Sequence, residues 1–422
     1  MITTDLLTPS PKPIPAVVRV YQAALALAPA KETERNKALQ SMARFLQQYA
    51  NDILEANTLD LEASREMAVP ELILEWLKLT PERLQAVVQI LQRLAELPDP
   101  IRRVMNTTYQ VTHAQTYCQL MPLGAIALIY ESFPELSAIV AGLCIKTGNT
   151  LILRGGSEAS HSNAIIANIL QSALEQSGLP PGCLEILEPE QGHSIRDLIT
   201  QDQYLNLVIP YGRPSLIQQV VRHSTAPVLK PGMGNCYMYW SPTGTLEMAR
   251  GMIVESHQGE PDPVNAIEKV LIHCNQKPSS LVTLWKTLKE KGFHLRGDAE
   301  LVADFPELTL VEEAEWNQSY LKRTIAFKVV DSLEEAIAWI NRYSSGHADS
   351  LATGSYQESR QFALGVNSAC TYINASPRFC RNPKQGDSIF LGVSNQKGHR
   401  RGLIGLEALT TIKHIIQGND NF

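Results

Sequence analysis

The stretch best equipped for chemistry is Lys146 to Asn163, KTGNTLILRGGSEASHSN, in which an apolar run ends on Arg154-Gly155-Gly156-Ser157. Glycines at such a turn let backbone approach a ligand closely. A helix opening directly behind it would present free N–H groups to an anion. Lys146 and Arg154 add positive charge, Ser157 a hydroxyl and Glu158 a carboxylate, so a nucleotide phosphate or ribose fits the composition of the stretch. The spacing is not GxGxxG, and a Gly-Gly turn after a strand can also be only a turn, so both readings stand. Sulfur chemistry has seven candidates: Cys118, Cys144, Cys183, Cys236, Cys274, Cys370 and Cys380. Their number is odd, their spacing irregular and no CxxC occurs, which points to free thiols in a reducing cytoplasm and gives neither a disulfide framework nor a zinc site. His161 and His193 lack ligand company, so no metal is expected.

The elements that must position these residues follow from periodicity. Residues 32–56 carry Leu39, Met42, Phe45, Leu46, Tyr49, Ile53 and Leu54 at helical spacing, and a second helix is expected over 81–96. TTYQVT and TYCQLMP then read as a hairpin around His113. Strands GAIALIYE, NTLILR, CLEILE, LNLVIP and APVLK alternate with helices, one closed by Gly178 and Pro180 and one opened by Pro214. Strands alternating with helices imply parallel βαβ units and a doubly wound α/β sheet. The pattern restarts near 235 with NCYMYW, AIEKVLIH, RTIAFKVV, DSLATG and CTYINA, with a boundary near Pro231-Gly232. The tail GLIGLEALTTIKHIIQG ends as a strand left over for pairing elsewhere, including with a second subunit.

Bulk properties narrow the classes. At 422 residues the chain exceeds one ordinary core, and 44% hydrophobic with 19% charged residues is normal for a soluble globular protein. A net charge of −6 without any basic run argues against nucleic acid as a partner. No apolar run is long enough to span a membrane, and the first residues, MITTDLLTPSPKP, do not read as an export signal. A cytoplasmic location is therefore expected.

Three segments carry a resemblance: PLGAIALIYESFPELSAIVAGLCIKTGNTLILRGGSEASHSN, SGHADSLATG with VNSACTYINASPRF, and GLIGLEALTTIKHIIQG. Together they make the chain similar to the γ-glutamyl phosphate reductases of the aldehyde dehydrogenase superfamily, collinearly from roughly residue 15 to the end. The resemblance implies that family's fold: a cofactor-binding domain, here residues 1–106 and 123–231, and a catalytic-type domain, 232–375. It also implies oligomerisation strands, 107–122 and 400–422, and hence a homo-oligomer, dimer or tetramer. It implies NADPH-dependent reduction of L-glutamyl 5-phosphate to L-glutamate 5-semialdehyde in proline biosynthesis, through a cysteine thiolate that expels phosphate and leaves a thioester for hydride reduction.

The residues carried over are Lys146, Arg154, Gly155, Gly156, Ser157 and Glu158 for the cofactor, and His347, Asn374, Arg378 and Phe379 for the substrate. The nucleophile does not carry over. The family's CNAxETLLVH pattern is matched by Val264-Asn265-Ala266-Ile267-Glu268-Lys269-Val270-Leu271-Ile272-His273, with valine in the cysteine's place. The preceding GEPDP replaces a basic stretch, and Ala348 stands where the family has a hydroxyl. Tyr130-Glu131-Ser132-Phe133-Pro134-Glu135 keeps Tyr, Glu and Pro of Tyr-Glu-x-Arg-Pro-Asn, and Pro-Arg-Gly becomes Pro210-Tyr211-Gly212. The remaining candidates near the chemistry are Glu131, Asn265 and Cys380, the last following Arg378-Phe379. Each has a plain alternative: Glu131 as a structural partner, Cys380 as a loop cysteine. Three functions stay open: the reductase, a weak or silent relative that binds nucleotide or substrate or serves as a partner subunit, and a changed reaction without a thioester.

Overall fold

Strands whose residues are buried on both faces must lie in sheets covered on both sides, as parallel sheets with crossover helices are, and this rule organises most of the chain. The structure, a computed structural model, describes residues 13–101, 103–107, 111, 114–188, 192–258, 264–398 and 400–418. They form two compact units, one comprising the described residues up to Leu229 with Asn382–Ile389 and those from Gly405, the other Lys230–Arg381 with Phe390–Ile404. Residues 382–389 thus depart from the second unit's chain to join the first.

In the first unit, β1 (Val104–Asn106), β2 (Ala114–Pro122), β3 (Ala125–Tyr130), β4 (Thr150–Gly155), β5 (Leu184–Ile186) and β6 (Leu207–Tyr211) make two sheets. The parallel sheet has the order β5-β4-β3-β6, with Tyr130 opposite both Gly155 and Tyr211, so β4, β3 and β6 end together. All six residues of β3 are buried. β1, β2 and the last strand, Thr410–Gly418, form an antiparallel sheet with Thr410 opposite Pro122 and Gly418 opposite Ala114. The turn around His113 lies outside the described residues.

Two local expectations change. The helix foreseen over 32–56 is two helices, Glu32–Gln48 and Ala50–Glu66. Tyr49 leaves helical geometry (φ −101°, ψ 23°) while its N–H and C=O keep the helical partners Phe45 and Ile53, so the apolar period shows no break. APVLK is not a strand. It makes a single bridge, Val228 to Val208, because Pro227 has no N–H to extend a ladder.

In the second unit, β7 (Cys236–Trp240), β8 (Ile267–His273), β9 (His294–Gly297), β10 (Thr309–Leu310), β11 (Thr324–Val330), β12 (Ala348–Ala352) and β13 (Cys370–Ile373) form one parallel sheet of order β10-β9-β11-β8-β7-β12-β13. Alternate residues of β7 feed opposite cores. Met238 and Trp240 pack with Met252 and Trp285, and Tyr237 and Tyr239 with Ile340 and Phe362. A short antiparallel pair, β14 (Val393–Ser394) and β15 (Gly402–Leu403), completes the unit.

Candidate functional site

The glycine turn sits where its sequence placed it, at the carboxyl end of β4 beside the ends of β3 and β6. Strand order reverses at β3, and ligands of open α/β sheets bind at such points. A Cβ on Gly155 would lie 2.1 Å from Asn163 Nδ2, and one on Gly156 2.2 Å from the Glu158 carboxylate. A side chain at 155 would displace the Asn163 amide, and one at 156 the end of the Glu158 side chain. Ser157 is exposed, Glu158 accepts the hydroxyl of buried Ser132, and Arg154 reaches the carbonyls of Leu187 and His193, each at 3.5 Å.

Two expectations about this cradle are overturned. The helix start behind the turn is not open to an anion, because the N–H groups of His161 and Ser162 donate to the two oxygens of Asp60 at 3.0 and 2.8 Å. Asp60 is 2% exposed, so the protein's own carboxylate fills that role. Lys146 is not in the cradle either. It closes the helix Pro134–Lys146, which runs back from the carboxyl end of β3, and so lies at the amino end of β4. There, fully buried, it donates to Asn36 at 3.0 Å and to the Leu97 carbonyl.

Glu131 is held by Arg213, whose backbone N–H (2.8 Å) and guanidinium (2.8 Å to Oε1) both donate to it. This hydrogen bonding raises the Arg213 pKa and keeps the cation fixed at the end of β6. Arg213 was missed by the sequence reading. Its signal was position alone, a cation directly after a strand-ending glycine at the reversal of strand order.

In the second unit, Val264 is 1% exposed and enters β8 from its amino end; Gly259–Pro263 before it lie outside the described residues. Its carbonyl accepts from Gly234 N–H at 3.1 Å and from His347 Nε2 at 2.6 Å. A carbonyl only accepts, so His347 carries its proton on Nε2, and Nδ1 accepts from the Ser345 hydroxyl at 2.9 Å. His347 is fully buried with both ring nitrogens engaged, so the expected substrate contact gives way to a positioning role beneath residue 264. Asn374 is likewise reassigned. With φ at 53°, its amide accepts from Thr353 N–H and donates to Thr353 C=O, both at 2.8 Å, tying the ends of β12 and β13.

Asn265, 1% exposed, donates to the Pro377 carbonyl at 2.9 Å, and its Oδ1 has no partner among the described residues. That bond anchors the segment leading into Arg378, Phe379 and Cys380. Arg378 and Cys380 are exposed, and Phe379 lies under the Arg381 guanidinium at 5.3 Å. Cys236 lies below the Val264 carbonyl, with Sγ 3.8 Å from that oxygen, fully buried. Burial first, then the charges of Asp349 and Glu268, push its thiol well above the ordinary range, which suppresses the reactive thiolate. Cys274 sits beyond the far end of β8. Glu268, fully buried, accepts backbone N–H from Asn235, Tyr320 and Leu321 at 2.7–2.8 Å and so pins the turns around the strand. Among the described residues no group of three His, Cys, Asp or Glu side chains could hold a metal ion, and no helix is long and apolar enough to cross a membrane.

Burial of the His347 ring lowers its pKa from 6.5 to about 4. The unfolded chain therefore takes up the proton first. The stability from a neutral ring is present above about pH 6.5 and lost as pH falls toward 4. His257, also lowered by burial to about 4, acts in the same direction. Asp349, raised by burial to about 6, acts oppositely, its contribution being lost as pH rises through 6. A His347→Gln variant keeps a donor for the Val264 carbonyl without titrating. Its melting temperature should fall less between pH 6.5 and 4 than that of the parent, as thermal scans across that range would show. Parallel curves would exclude His347 as an acid-sensitive group.

Comparisons place this geometry among known proteins. The aldehyde dehydrogenase family profile matches residues 15–233. "Gamma-glutamyl phosphate reductase 2" of Synechocystis sp. is 57% identical over 407 residues, 95% of this chain and 97% of that protein. The γ-glutamyl phosphate reductase of Gloeobacter violaceus is 40% identical over 401 residues, 95% and 96% of the two chains. The crystal structure of γ-glutamyl phosphate reductase from Thermotoga maritima superposes with a TM-score of 0.85 at 32% identity, covering 96% of this chain and 98% of that one. An acetylating aldehyde dehydrogenase from Geobacillus thermoglucosidasius, 14% identical with a TM-score of 0.68 and 96% coverage of both chains, shares the fold.

Proposed function

The chain belongs to the γ-glutamyl phosphate reductase family of the aldehyde dehydrogenase superfamily, and from that premise we propose a binding scaffold for NADP and a glutamyl substrate whose covalent step is closed. The substrates are those of the family reaction in proline biosynthesis, L-glutamyl 5-phosphate and L-glutamate 5-semialdehyde. The observation that carries this reading is Val264. At the position that the family's CNAxETLLVH motif gives to the attacking cysteine this chain has a hydrocarbon, which can neither displace phosphate from an acyl phosphate nor carry the thioester that hydride reduces. The buried Cys236 thiol beneath it does not supply the missing thiolate.

The cofactor, when bound, supplies the hydride. Gly155, Gly156 and Ser157 let backbone and hydroxyl approach it, the Glu158 carboxylate suits a ribose hydroxyl, and Arg154 with Arg213 suits phosphate, including the 2′-phosphate that distinguishes NADP. Arg378, exposed, and Phe379, half-buried, are the groups left to meet substrate, Arg378 by pairing with its carboxylate. The last strand, with Ile412 and Ile416 about half exposed on an outer edge, supports assembly into a dimer or tetramer. The setting proposed is the cytoplasm.

One observation favours a second reading, turnover through Cys380. Asn265, next to Val264 in sequence, grips Pro377, and an exposed thiol lies three residues further on.

Cofactor binding is tested by thermal shift. NADPH at about 100 times its Kd should stabilise the chain by about 2.7 kcal/mol, a melting shift of a few degrees, and Arg154→Ala should lose most of it. An equal shift in both proteins would remove the cradle from the cofactor site.

A further inference from the structure

A polar pocket of about 280 Å³ opens in the second unit where the helix Leu333–Tyr343 ends and β12 and β13 begin. Its lining includes Lys397 and Arg401 and contains no Asp or Glu. The carboxylate behind its wall, Asp349, is fully buried and already accepts the hydroxyls of Ser344 and Ser368 and the N–H of Tyr237. The charge presented to the opening is therefore positive.

Both cations stand on a loop fastened to the pocket wall. Asn395 donates to the Ser345 carbonyl, and Arg401 Nη2 donates to the Asn367 carbonyl at 2.6 Å and to Asn367 Oδ1 at 3.5 Å, which sets the guanidinium plane with Nη1 and Nε on its other sides. Lys397 is exposed on the same loop. We propose that this pocket is a binding site for a small oxyanion, phosphate or carboxylate, clamped between Lys397 and Arg401. A fixed guanidinium fork beside an exposed ammonium is the pairing that suits a multivalent oxygen anion. None of its lining residues belongs to the glycine cradle, and its wall residue Ser345 is the one that hydrogen-bonds His347 beneath Val264, so an occupant would rest against the support of the candidate nucleophile position.

The test is calorimetric titration of the full chain without nucleotide, at constant ionic strength, with inorganic phosphate in one arm and succinate in the other. Saturable binding is expected with at least one of them. Lys397→Ala and Arg401→Ala should each weaken it roughly tenfold or more, the effect of losing one charge-assisted hydrogen bond. The component of binding that depends on Lys397 and Arg401 should persist in Arg154→Ala. Both clamp residues are exposed, so the variants should fold, which circular dichroism would verify. Phosphate alone or succinate alone identifies the chemistry. Heat in neither arm overturns the proposal, as does binding that survives both clamp substitutions. Binding lost only in Arg154→Ala would assign the anion to the cradle, overturning this site while leaving the cofactor reading in place.

Discussion

Val264→Cys should raise NADPH-linked turnover of the glutamyl substrate by roughly two orders of magnitude or more, the scale set by gaining or losing a covalent nucleophile. The backbone at 264 is already positioned, with Gly234 and His347 donating to its carbonyl, so a thiol introduced there inherits a fixed starting geometry. The substitution removes about one methyl of volume from a site that is 1% exposed and should cost about 1 kcal/mol of stability. Recovery should stop short of a complete reductase, because Ala348, Phe133 and Glu135 also depart from the family pattern. The assay follows absorbance at the NADPH band in both directions. If thiol titration confirms the new cysteine and no gain appears, residue 264 is not the point of attack.

The largest stability effect is expected at Glu268. Its carboxylate, fully buried, gathers the N–H groups of Asn235, Tyr320 and Leu321. Asn235 and Leu321 both hold φ at 55°, a conformation that side-chain-bearing residues keep only when their surroundings enforce it. Glu268→Ala strands three backbone donors, two of them buried, and opens a cavity, so unfolding free energy should drop by about 4 kcal/mol. Glu268→Gln, which retains one accepting oxygen, should lose about half of that. Urea midpoints of the three proteins give the comparison; a drop below about 1 kcal/mol for alanine would mean that the turns around β8 hold without the carboxylate.

Much of the fold was legible because the physics behind it is local. Alternation of apolar runs with amphipathic stretches gave the parallel units, and Gly178, in left-handed geometry, closes its helix as expected. Short strands at one side of the second sheet were lost: β9 and β10 have four and two residues, too few to show a period. At the site, what depended on sequence neighbours survived and what depended on topology did not. Gly155 and Gly156 stand at the end of β4, as their context indicated, but Lys146, eight residues before Arg154, belongs to the opposite end of the sheet because a parallel connection must return there first. Asp60, which occupies the amides that looked free, comes from about a hundred positions earlier in the chain and left no local sign. His347 was read as a substrate ligand, since nothing in SGHAD reveals that its ring is sealed under another loop. Val264 became visible only through resemblance, as valine before a buried strand is unremarkable by itself.

The most direct test uses the unaltered chain. Purified protein is mixed with L-glutamate 5-semialdehyde, phosphate and NADP, and NADPH formation is followed alongside a protein-free control. On the proposal that the covalent route is closed at Val264, the two traces should coincide. Sustained NADPH formation by the native chain, abolished by Cys380→Ser, would contradict it and assign the chemistry to a relocated thiol.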